Sequence, residues 1–230
     1  MRWLSTDQWH VTLRFHEIAL KGKNRPFFIQ ALLSNLRRAL RGLDVERVAG
    51  GSSMIGISLG PSAEWEAVKE RLAHVFGMVK FALAFRIPAS LAAVERTVEM
   101  ELPRLQFKSF RISAHRADKG FPLTSVDINR RLGTFVQSRT DAIVDLKHPD
   151  LNIRVDILPR EALVYFDEVG GPGGLPVGTG GLVACLMSGG IDSPVAAYRM
   201  MKRGCRVVFI HFHSFPLVEG MSREKARDLV

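Results

Sequence analysis

The chain has 230 residues, 47% of them hydrophobic and 24% charged, the balance of a globular protein able to build apolar cores. No apolar run approaches the ~20 residues that cross a bilayer, and the opening MRWLSTDQWH turns polar too early for a secretory signal, so a cytoplasmic protein without a membrane partner is expected. A net charge of +9 points to a polyanionic partner, while the two cysteines, Cys185 and Cys205, form neither a disulfide framework nor a CxxC metal knuckle. Both lie in apolar contexts and read as buried structural thiols.

In chain order, Val11, Leu13 and Phe15 alternate with Thr12, Arg14 and His16, the pattern of a half-buried strand. The turn KGKNRP follows, with Asn24 placed to cap a helix and Pro26 in its first turn. Phe28, Ala31, Leu32, Leu36, Ala39 and Leu40 recur at helical spacing up to Gly42, and SSMIGISL at 52–59 predicts a further strand. A small β–α–β unit spanning 1–60 results.

Pro61 opens a second unit, 61–168. It reads as a helix over 64–76, a strand over 78–85, a helix over 91–102, and an alternating strand over 107–115 with Phe110, Ile112 and Ala114 inward. Ser125 then caps a helix with Ile128, Leu132, Phe135 and Val136 as its buried stripe, and strands over 152–158 and 162–166 close the unit. The fold class is thus mixed, α/β and α+β, without internal repeats.

Residues 170–181, GGPGGLPVGTGG, favour neither helix nor strand and mark a linker, placed at 169–181. Beyond it, Leu182–Met187 is a continuous apolar run, as in a strand buried on both faces of a parallel sheet. SGGIDS, a helix from Pro194 to Gly204 and a strand over 206–213 complete a βαβ unit. One such unit is too small to bury a doubly wound core, so 182–230 is expected to be the start of a larger domain.

The basic residues cluster. Between 104 and 139 stand Arg104, Lys108, Arg111, Arg116, Lys119, Arg130, Arg131 and Arg139 against two aspartates, and a second group includes Lys21, Lys23 and Arg25. Such clusters neutralise nucleic-acid phosphates or simply form a solvated face. Phe121 could stack on a base or sit in the core.

The SGGIDS loop carries the clearest chemistry. A glycine loop between a strand and a helix N-terminus presents backbone N–H groups to a phosphate. Gly189 and Gly190 let the backbone turn and approach the anion, Ser188 and Ser193 add hydroxyls, and Ser193 is placed to cap the helix. Asp192 would be repelled by phosphate unless a cation such as Mg²⁺ bridged them, which makes it the expected metal-binding and catalytic carboxylate. The loop is neither a Walker A motif nor a dinucleotide fingerprint. His211 and His213 could ligate a metal, though no cysteine or carboxylate stands near them in sequence.

SGGIDSPVA resembles the PP-loop of ATP pyrophosphatases. With LKGKNR at 20–25, RISAHRADKGFPLTSVDINRRLG at 111–133, GGLPVGTGG at 173–181 and KRG followed by HFHSFP within 202–216, nearly the whole chain resembles the ThiI family of tRNA 4-thiouridine synthetases. The resemblance implies an N-terminal ferredoxin-like domain at 1–60, a THUMP RNA-binding domain at 61–168 and an incomplete PP-loop domain from 182. It implies that the first two domains hold tRNA by its acceptor stem and 3′ CCA end, with Lys21, Lys23, Arg25, Arg111, Arg116, Lys119, Arg130 and Arg131 as phosphate contacts. It implies that Ser188, Gly189, Gly190, Ile191, Asp192 and Ser193 bind the phosphates of ATP, while Leu186, Met187, His211 and Phe212 contact the nucleotide largely through backbone. In the family ATP adenylates a uridine C4 oxygen and a cysteine persulfide, charged by a cysteine desulfurase, delivers sulfur. A sulfur-carrier step in thiamine thiazole formation belongs to the same implication, and a homodimer stays open. The family's catalytic cysteine lies beyond residue 230, and neither Cys185 nor Cys205 matches it. Rival readings are an RNA-binding module with a vestigial loop, and a PP-loop ligase or amidotransferase acting on a small molecule.

Overall fold

A computed structural model of the chain describes residues 9–50, 54–212 and 221–229, the side chains of 221–223 excepted. The elements follow in order as β1 (Trp9–Arg14), a 3-10 segment (Glu17–Asn24), α1 (Arg25–Ala39), β2 (Val45–Gly50), β3 (Ile55–Leu59), α2 (Trp65–Ala73), β4 (Lys80–Pro88), α3 (Leu91–Glu101), β5 (Ser109–Arg116), α4 (Ser125–Gln137), β6 (Ile143–Val144), β7 (Leu151–Ile157), β8 (Glu161–Tyr165), β9 (Val169–Gly170), β10 (Leu182–Leu186), α5 (Asp192–Lys202), β11 (Arg206–Ile210) and α6 (Met221–Asp228). Residues 52 and 53 of the strand expected at 52–59 and His213 lie outside the described residues.

Among the described residues, β1 to β9 form one continuous sheet in the order β2-β3-β1-β4-β8-β7-β5-β6, with β9 beside β4. The hinge of this arrangement is β4. It pairs antiparallel with β1 along Lys80–Phe85 and with β8 along Phe85–Pro88, so one strand belongs to both halves. Strand alternation then assigns the faces. Phe81 and Ile87, both odd-numbered on β4, sit in separate apolar cores on the same side of the sheet.

The first core packs Val11, Leu13, Ile55, Ile57 and Phe81 against Leu32 and Leu36 of α1 and Val68 and Leu72 of α2. The second packs Phe110, Ile112, Ile153 and Val155 against Val94 and Val98 of α3 and Ile128, Leu132 and Val136 of α4. Each such fully buried side chain contributes roughly 1.5–3 kcal/mol against the entropy of ordering the chain. The expected boundary at residue 60 thus falls inside the first core, because α2 buries its stripe against α1 and the first strands. The sheet face opposite the helices carries a smaller apolar patch, Ala82, Ala84, Leu163 and Tyr165, among polar residues.

Local chemistry shifts several helix ends. Thr124, not Ser125, caps α4: its hydroxyl accepts from the Asp127 amide while the Asp127 carboxylate accepts from the Thr124 amide, a full capping box. Asn24 occupies the cap position of α1 without a side-chain cap bond. Helix α5 begins at Asp192, with Ile191 as its cap, so Ser193 lies inside the helix and does not cap it.

The last unit departs most from expectation. β10 and β11 form a two-stranded parallel sheet, Leu182 opposite Arg206 through Leu186 opposite Ile210. Helix α5 covers one face only. Leu182 and Leu186 remain 62% and 63% exposed, so β10 is not buried on both sides as its apolar composition predicts. A single βαβ unit has one helix and can shield one face. The glycine-rich stretch before it is ordered as well: β9 pairs with β4, and Leu175 bridges to Arg203.

Candidate functional site

The strand–loop–helix turn expected to hold phosphate is formed by Met187–Ser193. Its closure rests on the two serines. The Ser188 amide donates to Ser193 Oγ at 3.1 Å, the two hydroxyls lie 3.2 Å apart, and the Gly190 amide donates to Ser188 Oγ at 3.3 Å. Hydroxyls thus stand where an anion's oxygens would accept the same N–H groups. Gly189 and Gly190 are exposed, and neither adopts positive φ. A Cβ there would meet nothing closer than the Lys225 side chain at 3.9 Å or Ser188 Oγ at 3.5 Å. The turn itself therefore does not require glycine, contrary to the first half of the expectation. What the two glycines keep is open space above the amides.

Around this loop, Leu186 and Ile191 are exposed, Asp192 is exposed at the start of α5, and Met187 is buried. The Met187 amide donates to the Ile210 carbonyl, and the Met187 carbonyl accepts from His211 Nδ1 at 2.8 Å. A carbonyl can only accept, so that ring nitrogen carries the proton. His211 thereby ties the ends of β10 and β11 together, and Met187 spends both backbone groups on that tie. Phe212 is 79% exposed beside it. Among the described residues no group of three or more His, Cys, Asp or Glu side chains converges on one point, so any Mg²⁺ at Asp192 would need ligand oxygens from a bound phosphate.

Both thiols are engaged with backbone carbonyls. Cys185 Sγ lies 3.7 Å from the Ser193 carbonyl, and the buried Cys205 lies 3.3 Å from the Gly180 carbonyl. One lysine that the sequence pattern does not flag runs its aliphatic stem past the loop. Lys225 of α6 passes its side chain beside Gly189, although 35 residues separate the two in sequence and no motif links them.

The basic candidates do not gather on one surface. Arg111 points away from the helices, by alternation with Phe110 and Ile112, and donates to the Leu146 carbonyl at 3.1 Å. Arg130 and Arg131 are exposed on α4, on the other side of the sheet. Arg116 donates to the carbonyls of Phe121 and Leu123 at 3.0 and 3.3 Å, so it shapes the loop that carries exposed Lys119. Phe121 itself packs half-buried against the second core. At the other end of the chain, Lys21 lies over the Phe28 ring and Arg25 over the Phe15 ring, with Lys23 exposed between them.

A ferredoxin-like unit sharing its sheet with a THUMP unit, followed by a PP-loop turn, defines the class of this chain. Three family models match in that order: the ThiI ferredoxin-like domain at 10–82, the THUMP domain at 92–167 and "Thiamine biosynthesis protein (ThiI)" at 178–230. The chain belongs to the ThiI family. It is 49% identical over 215 residues to a Thermus thermophilus protein named "Probable tRNA sulfurtransferase", covering 94% of this chain and 53% of the relative. It is 42% identical over 218 residues to a protein of the same name from Moorella thermoacetica, covering 94% and 55%. A solved structure of a 4-thiouridine synthetase–RNA complex with bound ATP superposes with a TM-score of 0.81 at 32% identity, over 96% of this chain and 57% of that one. The chain thus spans about half the length of the curated relatives it matches. No described helix is long and apolar enough to cross a membrane.

Proposed function

We propose that this chain supplies the tRNA grip and the ATP phosphate loop of a tRNA sulfurtransferase that forms 4-thiouridine. The observation that carries the reading is the likeness to a 4-thiouridine synthetase bound to RNA and ATP, which extends over 96% of the chain; the serine-closed loop lies within the 178–230 match to the ThiI model. When bound, ATP would activate a uridine C4 oxygen as an adenylate and release pyrophosphate. In this reading the amides of Ser188 and Gly190 turn from the serine hydroxyls to phosphate oxygens, and the N-terminal end of α5 adds its dipole. Asp192 would hold a Mg²⁺ ion, which would supply charge neutralisation for the phosphates. Leu186, Met187, His211 and Phe212 form the rim against which the nucleoside rests, with His211 holding the two strand ends in register.

The basic residues of both halves hold tRNA: Lys21, Lys23 and Arg25 from the ferredoxin-like unit, Arg111, Arg116, Lys119, Arg130 and Arg131 from the THUMP unit. Their separation on two sides of the sheet suits a long ligand contacted along an edge, with the acceptor stem and 3′ CCA end as the recognised parts. Sulfur arrives as a cysteine persulfide charged by a cysteine desulfurase. Cys205 is buried against the Gly180 carbonyl and the Cys185 thiol is turned to the Ser193 carbonyl, which argues against either as its carrier, so the 230 residues alone should not thiolate tRNA. The thiazole branch of thiamine synthesis would draw on the same sulfur.

The test is binding of unmodified tRNA at two salt concentrations, beside a tRNA lacking its CCA end, with ATP binding measured in parallel. Salt-sensitive, CCA-dependent binding together with ATP binding is expected. RNA binding without ATP binding would leave an RNA-binding module only, and absence of both would overturn the reading.

A further inference from the structure

The basic residues of the ferredoxin-like unit extend beyond Lys21, Lys23 and Arg25. Arg37, Arg41 and Arg47 line a recess of about 300 Å³ between the C-terminal end of α1 and β2, the outermost strand of the sheet. Leu43, Glu46 and Val48 complete its walls. None of these residues belongs to the SGGIDS loop or to the THUMP unit.

The guanidiniums here are not spent on the fold. Arg37 Nη2 donates to the Val48 carbonyl at 3.0 Å, which fixes its head against the strand. Arg41 and Arg47 are exposed, and their side chains form no hydrogen bond or ion pair among the described residues. The neighbouring acids leave them so. The Asp44 carboxylate accepts from the Ser62 amide at 2.8 Å, and Glu46 forms no ion pair among the described residues.

Arginines at a helix C-terminus commonly serve its free carbonyls. At α1 that need is already met. The amides of Leu40, Arg41 and Leu43 donate to the carbonyls of Leu36, Arg38 and Leu40 at 3.0, 3.3 and 3.1 Å, and Arg71 of α2 donates to the Ala39 carbonyl at 3.3 Å. The strand is shaped at the same place. Val45 pairs with Leu59 and Arg47 with Ser58, so Glu46 is the extra residue of a bulge. Four consecutive residues, 45–48, line the recess, where a regular strand would turn every second one away.

We propose that this recess is a second anion site of the chain, for a terminal phosphate or pyrophosphate group. A pocket of this size takes a small polyanion or the end of a chain. Guanidinium forks match paired phosphate oxygens, and a terminal phosphate carries nearly twice the charge of a backbone diester. Three guanidiniums, with the exposed Arg38 beside them, outweigh Glu46 and the partial negative charge of the helix end. The group arrives free, as pyrophosphate, or at the 5′ end of an RNA. The site does not depend on what the SGGIDS loop binds.

The probe is inorganic pyrophosphate, titrated into the 230-residue chain while arginine Nε–Hε signals are followed by NMR. Arg41→Lys and Arg47→Lys, made singly, assign the two signals, and both are expected to shift saturably. Arg41→Ala with Arg47→Ala should weaken the site about tenfold, read on the Arg37 signal, without changing the response of the Gly189 and Gly190 amides. All three arginines are exposed, so these substitutions leave the first core intact. Arg41→Lys with Arg47→Lys keeps the charge but loses the forks, and should weaken binding several-fold. Two tRNAs of one sequence, with a 5′ phosphate or a 5′ hydroxyl, then separate the sources. A preference for the 5′ phosphate that the alanine double variant loses assigns the RNA end. Equal binding of both, with pyrophosphate still saturating the recess, assigns the free anion. Arginine signals that neither ligand moves beyond the effect of sodium chloride at equal ionic strength would overturn the proposal. Unchanged pyrophosphate affinity in the lysine double variant would overturn it as well, leaving a diffuse basic field.

Discussion

Arg14 on β1 donates from Nη2 to Asp156 Oδ2 on β7 at 2.6 Å, an ion pair that ties together strands 142 residues apart. It lies on the helix-free face, where the Tyr165 hydroxyl donates to the same oxygen at 3.1 Å and the Asp156 side chain is 3% exposed. Burial first, then the Asp156 carboxylate, pushes the Tyr165 phenol up to about 12. The pair joins strands that have β4 and β8 between them in the sheet, and links the ferredoxin-like half to the THUMP half. Asp156→Ala would leave a cation and a buried hydroxyl without their acceptor, and should lower stability by about 3 kcal/mol in urea unfolding. Arg14→Met with Asp156→Leu should recover to within about 1 kcal/mol of the starting protein. A negligible loss in the single variant would show that the tie carries no stability.

His10, on the same face of β1, should make the chain acid-sensitive. Burial, then the Arg86 guanidinium, lowers its pKa from 6.5 to about 4. The folded chain then binds fewer protons there than the unfolded chain at any pH between those values. Stability is therefore complete above 6.5 and falls as pH drops toward 4, by up to about 3 kcal/mol. His10→Gln should flatten this slope. Urea midpoints at pH 7 and 4.5 that change equally in both proteins would assign the acid sensitivity elsewhere.

At the loop, Ser193→Ala removes the hydroxyl that accepts from the Ser188 amide, and Lys225→Met removes the charge of the lysine whose stem passes Gly189. Each should weaken ATP about tenfold, or ~1.4 kcal/mol, in equilibrium dialysis. Affinity for tRNA should not change. A Lys225→Met protein that binds ATP normally would place the ammonium outside the phosphate site.

The arginines separate by what they touch. Arg130 and Arg131 are exposed, and Asp127, in the same first stretch of α4, is engaged with its Thr124 cap. Arg130→Ala with Arg131→Ala should weaken tRNA binding and reduce the slope of log K against log salt by about 1–2. Arg116→Ala should act differently, because its guanidinium holds the Phe121 and Leu123 carbonyls. Thermal unfolding should fall by about 1–2 kcal/mol, with loop 117–124 exchanging faster, before any change in salt slope.

Much of this protein is legible along the chain because the signals are local. Alternation assigned Phe110 and Ile112 to the core and Arg111 to the other face, helical spacing found the stripe of α4, and SGGIDS between a strand and a helix marked the loop. These patterns depend on neighbours two to four residues away. What only the tertiary structure decided involves partners far apart. β4 joins two half-sheets by pairing with β1 and β8, and α2 enters the first core. Lys225 reaches Gly189, and a stretch whose composition predicts a loose linker becomes a strap because its amides find the carbonyls of Val79, Met78, Lys202 and Gly204. Glycine and proline state only that regular helix and strand are disfavoured. Whether such a backbone is bound or free depends on which acceptors the rest of the fold brings within 3 Å, and no local pattern in the sequence encodes that.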